Sequence, residues 1–87
     1  PRKAILVAAR GPCWLEIRRG GANGKVVYEN TLAQGRQLRV GLRSGRVWIA
    51  FGYAANIDIH LGTRRLHLPA IQPGGAVLLG RRGFRRA

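Results

Sequence analysis

Asp58, His60 and His67 are the one set of side chains in the sequence whose types match a metal centre. Two imidazoles and a carboxylate form the ligand set of mononuclear iron and zinc sites. The three residues fall in a stretch that reads as a β-hairpin around Gly62-Thr63, where glycine in first place suits a type II′ turn. That register sets Ile59 opposite Leu66 and Leu61 opposite Arg64, with Asp58 across from His67 and His60 across from Arg65. Arg65 is a fixed positive charge beside the would-be ligands and opposes a cation. A solvated Asp–His pair on a polar face is the plainer expectation, and no metal or other cofactor is expected.

Nucleophilic catalysis needs a base beside the nucleophile and a third group to orient the base. Ser44 sits in a tight turn and Cys13 in a strand, while both histidines belong to one distant hairpin. The carboxylates Glu16, Glu29 and Asp58 have no spacing that would bring two of them together for acid–base work. A phosphate-cradling glycine loop requires a following helix, and none is predicted. The chain is therefore not expected to be an enzyme.

Aromatic and basic residues make a second constellation. Trp48 with Arg39 and Arg43, and Trp14 with Arg18, could form a platform that stacks bases or sugar rings. Arg64 and Arg65 add charge to the second hairpin. The competing expectation is that both tryptophans are covered by neighbouring strands, as large aromatics mostly are.

The elements that must position these side chains are strands. Apolar and polar residues alternate with period two, and no window carries a 3.6-residue stripe. Strands are predicted at Ala4–Ala9, Cys13–Arg19, Lys25–Glu29, Gln37–Leu42, Val47–Gly52, Asn56–Leu61, Arg65–Leu68 and Ala76–Leu79, separated by glycine- and proline-bearing turns. Seven or eight short antiparallel strands without significant helix predict a small β-sandwich or partly open barrel. With Ser44-Gly45 as a two-residue loop, Leu42 faces Val47, Val40 faces Ile49 and Leu38 faces Phe51. The same register places Trp48 opposite Gly41, with Arg39 and Arg43 diagonal to it. Leu15 and Ile17 alternate with Trp14, Glu16 and Arg18, so one of these rows points away from the core. Residues 1–80 are read as a single domain and 81–87 as a basic flexible tail.

An 87-residue chain buries only about 60% of its unfolded surface, which excludes a two-domain enzyme or a deep cofactor cleft. Sixteen Lys and Arg against three acidic residues give a net charge of +13, and 14 of the 16 are arginines, which fork onto phosphate and carboxylate. This balance favours anionic partners: nucleic acid, acidic lipid headgroups or anionic envelope polymers. Cys13 is the lone cysteine, so it has no internal disulfide partner and is expected as a small apolar filler. No segment reaches the ~20 apolar residues of a membrane helix. The chain starts at Pro1 without a signal-like segment and reads as a piece of a longer protein.

Several motifs occur in an order that resembles the C-terminal extracytoplasmic domain of RodZ-like bacterial proteins. Cys13-Trp14-Leu15-Glu16-Ile17 looks like that family's Ser-Trp-Val-Glu-Val strand, and Gly24-Lys25-Val26-Val27-Tyr28 and Thr31-Leu32-Ala33-Gln34-Gly35 follow it. Phe51-Gly52-Tyr53-Ala54-Ala55-Asn56-Ile57-Asp58-Ile59 looks like its Leu-Gly-Asn-Ala-Gly-X-Val-X-Val stretch, and Leu66-His67-Leu68-Pro69 like its closing motif. The resemblance covers residues 4–79. It implies a non-catalytic binding and scaffold domain outside the membrane, tethered by a membrane helix absent from this chain, in a protein that organises cell shape and the envelope. The implied partners are wall-synthesis proteins or anionic wall or lipid polymers. The rival expectation is a small basic β-barrel that binds nucleic acid through Arg and Trp side chains. Arg64-Arg65 in place of the commoner Lys-Pro, and Gly11-Pro12-Cys13, depart from the family pattern.

Overall fold

The computed structural model describes residues 3–43 and 45–86, without the side chain of Arg86. Period-two alternation becomes nine strands: β1 (Lys3–Ala8), β2 (Cys13–Arg19), β3 (Val26–Leu32), β4 (Gln37–Gly41), β5 (Val47–Phe51), β6 (Ile57–Leu61), β7 (Arg64–Leu66), β8 (Ala76–Gly80) and β9 (Gly83–Arg86). A single 3₁₀ turn at Ala54–Asn56 is the only helical element among the described residues. All pairings are antiparallel. One sheet has the order β4-β1-β6-β7 and the other β3-β2-β5-β8-β9, and they face each other as an open sandwich.

The inner row of each strand fills the space between the sheets. Ala4, Leu6 and Ala8 of β1 and Ile57, Ile59 and Leu61 of β6 meet Leu15 and Ile17 of β2, Val47, Ile49 and Phe51 of β5, and Val77 and Leu79 of β8. No polar or charged residue is buried among the described residues. Each fully buried aliphatic side chain contributes about 1.5–3 kcal/mol. Of the two rows in β2, Leu15 and Ile17 point inward and Trp14, Glu16 and Arg18 outward. Cys13 is the expected apolar filler, 3% exposed, and its sulfur accepts the Tyr53 backbone N–H at 3.4 Å.

The predicted hairpin of residues 37–52 does not form. β4 pairs with β1, and β5 lies in the other sheet between β2 and β8. The difference lies in β1, an inner strand of its sheet with two hydrogen-bonding sides to fill. β4 and β6 take those two sides. Val40 and Leu42 then point into the core from one sheet while Val47, Ile49 and Phe51 point in from the other. Rows that agree as cross-strand pairs agree equally well as opposed layers. Ser44, at the supposed turn, lies outside the described residues.

The second hairpin keeps its predicted register: Ile59 opposes Leu66, His60 opposes Arg65 and Leu61 opposes Arg64. Gly62 has φ of +64°, the positive value a type II′ turn requires at its first central residue, and Thr63 does not share it. Strand β7 ends at Leu66, so His67 has no partner across from Asp58. The segment expected to be a free tail is instead a strand for most of its length. β9 pairs with β8 and sets Phe84 opposite Leu79, where it packs against the core, and Arg81-Arg82 become the turn. Ala87 lies outside the described residues.

Gly24 is fixed by close approach. A Cβ there would lie 1.6 Å from the carbonyl oxygen of Arg19, whose own N–H donates to the Lys25 carbonyl at 2.9 Å. Gly24→Ala must push the β2–β3 hairpin apart. Overpacking of this kind costs about 1–3 kcal/mol, which for a domain of this size lowers the thermal midpoint by roughly 5–20 °C. A calorimetric scan of the variant checks this.

Candidate functional site

With the core entirely apolar, chemistry is confined to the two outer faces and the sandwich rim. Across the outer face of the five-stranded sheet runs one rung: Val26 on β3, Arg18 on β2, Trp48 on β5, Leu78 on β8 and Arg85 on β9. The neighbouring rung is Glu29, Glu16, Ala50 and Ala76. Beyond it Trp14 stands opposite Thr31 and is 37% exposed, while Trp48 is half-buried. Neither tryptophan belongs to the core cluster. Arg18 is held in place: its Nε donates to Glu16 Oε2 and its NH1 donates to the Gly24 carbonyl at 3.2 Å.

The other outer face carries the rung Arg39, Ile5, His60 and Arg65, so Arg39 and Trp48 lie on opposite sides of the molecule. The proposed grouping of Trp48 with Arg39 and Arg43 therefore does not exist. It rested on a hairpin that the chain replaces with a crossing between sheets. Trp14, Arg18 and Trp48 remain together on one face, and Arg64 and Arg65 sit on edge strand β7 of the other sheet.

Asp58 is engaged by two guanidinium groups, Arg10 at 2.7 Å and Arg65 at 3.0 Å. Arg10 also donates from Nε to the Ala55 carbonyl at 2.6 Å and from NH2 to the Ile57 carbonyl at 3.3 Å. This clamp ties the β1–β2 crossing to the start of β6. No three His, Cys, Asp or Glu residues gather in a metal-holding group among the described residues. Asp58 and His67 instead border an open groove of about 490 Å³ whose walls include Arg10, Tyr53 and Ile71, while His60 stands opposite Arg65 outside its lining. Arg10 escaped the reading of the sequence because its partner is 48 positions away and nothing local marks it. Arg85 was legible in principle: Leu79 and Phe84 alternate inward on either side of a Gly80 to Gly83 turn.

Fold and surface define an all-β, two-sheet module whose polar chemistry is all external. A family model of the RodZ C-terminal domain matches residues 7–78, and the chain belongs to that family. The match runs from within β1 to Leu78 of β8 and leaves the β8–β9 turn outside it. Neither a curated protein nor a solved structure matches the chain.

The hydrogen bond from Arg10, helped by the charges of Arg10 and Arg65, holds the Asp58 carboxyl below the usual carboxylate range against a weaker upward push from burial. A carboxylate lowered on folding stabilises the protein above its unfolded pKa, and that contribution is lost as pH falls through the folded value. Asp58→Asn is expected to lower stability at neutral pH, by an amount that shrinks once pH drops below the ordinary aspartate value of about 3.9. Denaturant titrations of both proteins across the acid range measure the convergence.

Proposed function

We propose that this domain is a non-catalytic, extracytoplasmic binding module of a RodZ-like protein that organises cell shape and the envelope, tethered through a membrane helix. It docks by the outer face of the five-stranded sheet on wall-synthesis proteins or an anionic wall polymer. Membership of the RodZ C-terminal domain family supports the assignment, and the observation that carries the choice of face is the exposed Trp14. A large indole left on the sheet face, with Arg18 four residues along the same strand held by Glu16 and set opposite Trp48, offers a stacking surface on a face that also carries a positioned cation. The side chains that would serve catalysis do not support an enzyme: Cys13 is buried in the core and the Asp58 carboxylate is committed to two arginines.

The nucleic-acid reading draws on the +13 charge, which attracts any polyanion and by itself favours neither nucleic acid nor a wall polymer; the family match is what supports the envelope reading. Titration of the domain with an anionic wall polymer and with short DNA and RNA, at low and physiological salt, separates the two. Wall-polymer binding is expected to persist at physiological salt and to fall about tenfold or more in Trp14→Ala, the loss of one stacked ring. Selective nucleic-acid binding that survives physiological salt would overturn the proposal.

A further inference from the structure

The β8–β9 turn builds a basic cup that the proposed docking face does not use. Arg46, Arg81, Arg82 and Arg85 surround a concavity of about 200 Å³ together with Leu78, Gly80 and Gly83. The cup exists because of its glycines. Gly80 and Gly83 oppose each other across the hairpin, and a Cβ at Gly80 would meet only the Cβ of Arg46, at 3.8 Å. Where side chains would normally stand, the floor is bare backbone between arginines. All three described ion pairs involve other residues, so these four guanidinium groups have no carboxylate partner among the described residues.

Four arginines lining one small hollow suit a phosphate group, whose oxygens accept forked pairs of N–H donors. The surroundings narrow the ligand further. Arg85 lies in one rung with Leu78 and Trp48, which places apolar and aromatic surface directly beside the cup. Arg81 and Arg82 are exposed at the turn itself, where they are the first side chains to meet a plane of phosphates. A single phosphate bordered by apolar surface is the chemistry of a lipid headgroup at the edge of its acyl chains.

We propose that the cup formed by Arg46, Arg81, Arg82 and Arg85 binds the phosphate of an anionic phospholipid headgroup and docks the β8–β9 turn on a membrane surface. The site deepens the envelope-module reading and rests on it for access to a membrane, but it uses different residues from the Trp14 face. Its turn also lies outside the segment matched by the family.

The test is co-sedimentation of the 87-residue chain, at physiological salt, with phosphatidylcholine vesicles and with vesicles of equal parts phosphatidylcholine and phosphatidylglycerol. Binding is expected to the anionic vesicles only. Arg81→Gln with Arg82→Gln should lower it roughly thirtyfold, given ~1 kcal/mol per arginine near an anionic surface. Arg36→Gln with Arg39→Gln, which removes the same charge from the β3–β4 loop and the outer face of the other sheet, should lower it severalfold at most. Gly80→Leu keeps every charge and fills the cup, and should lower binding severalfold while the circular dichroism melt shows a folded protein. If Gly80→Leu unfolds, the ratio between the two double variants decides the matter. Equal losses in the two double variants would reduce the site to generic charge and overturn it, as would a short oligonucleotide held more tightly than the vesicles. Wall-polymer binding by the Trp14 face is read separately, so either proposal can fail alone.

Discussion

An apolar interior one layer thick governs everything else in this molecule. Two sheets of four and five strands enclose a single stratum of Leu, Ile, Val, Ala, Cys and Phe side chains, and no described polar group is buried among them. The described cationic side chains therefore have nowhere to go but the outer faces, the turns and the rim. Burying even one arginine here would require a partner carboxylate, and there are three acidic residues in all. Two of those are already used in clamps, Glu16 with Arg18 and Asp58 with Arg10 and Arg65. The high positive charge follows from how few acids there are, and its distribution follows from the sandwich.

Strand positions were legible because period two is a local property. β2 spans the predicted residues, and β1, β4, β5, β6, β7 and β8 shift by a residue or two at their ends. β3 begins and ends later than expected, at Val26 and Leu32, because a bulge at Ile17/Arg18 adds a residue to the pairing and carries the strand further. Sheet membership is a long-range property, and there the reading failed. Leu38, Val40 and Leu42 match Val47, Ile49 and Phe51 as well across an interior as along a ladder, so hairpin and crossing cannot be told apart from alternation.

The same limit shaped the candidate site. Trp14, Arg18 and Trp48 stay together because β2 and β5 do pair, whereas Arg39 departed with β4 to the far side. The arginines of the last residues were seen as charge without structure. Phe84 turns them into a strand by giving β9 an anchor in the core, and a run of loose cations becomes an ordered rim. The two flanks of the sandwich also differ. On one, Arg64 of β7 donates to the Arg82 carbonyl at 3.2 Å and bridges the sheets. On the other, β3 is guarded as an edge by its bulge and by Asn30 Oδ1, which accepts the Thr31 N–H at 2.8 Å.

The central place of β1 also dictates the order in which the fold can be made. Its partners are β4, more than thirty residues downstream, and β6, more than fifty. As the chain leaves the ribosome the first strand emerges with two hydrogen-bonding edges and no neighbour for either. The β2–β3, β6–β7 and β8–β9 hairpins close from local sequence, but the four-stranded sheet cannot assemble until Leu61 is free. Such distant pairing puts folding in the millisecond-to-second regime of all-β domains. Through that interval an apolar strand is held open, so the strand of this domain that is synthesised first is among the last to be satisfied.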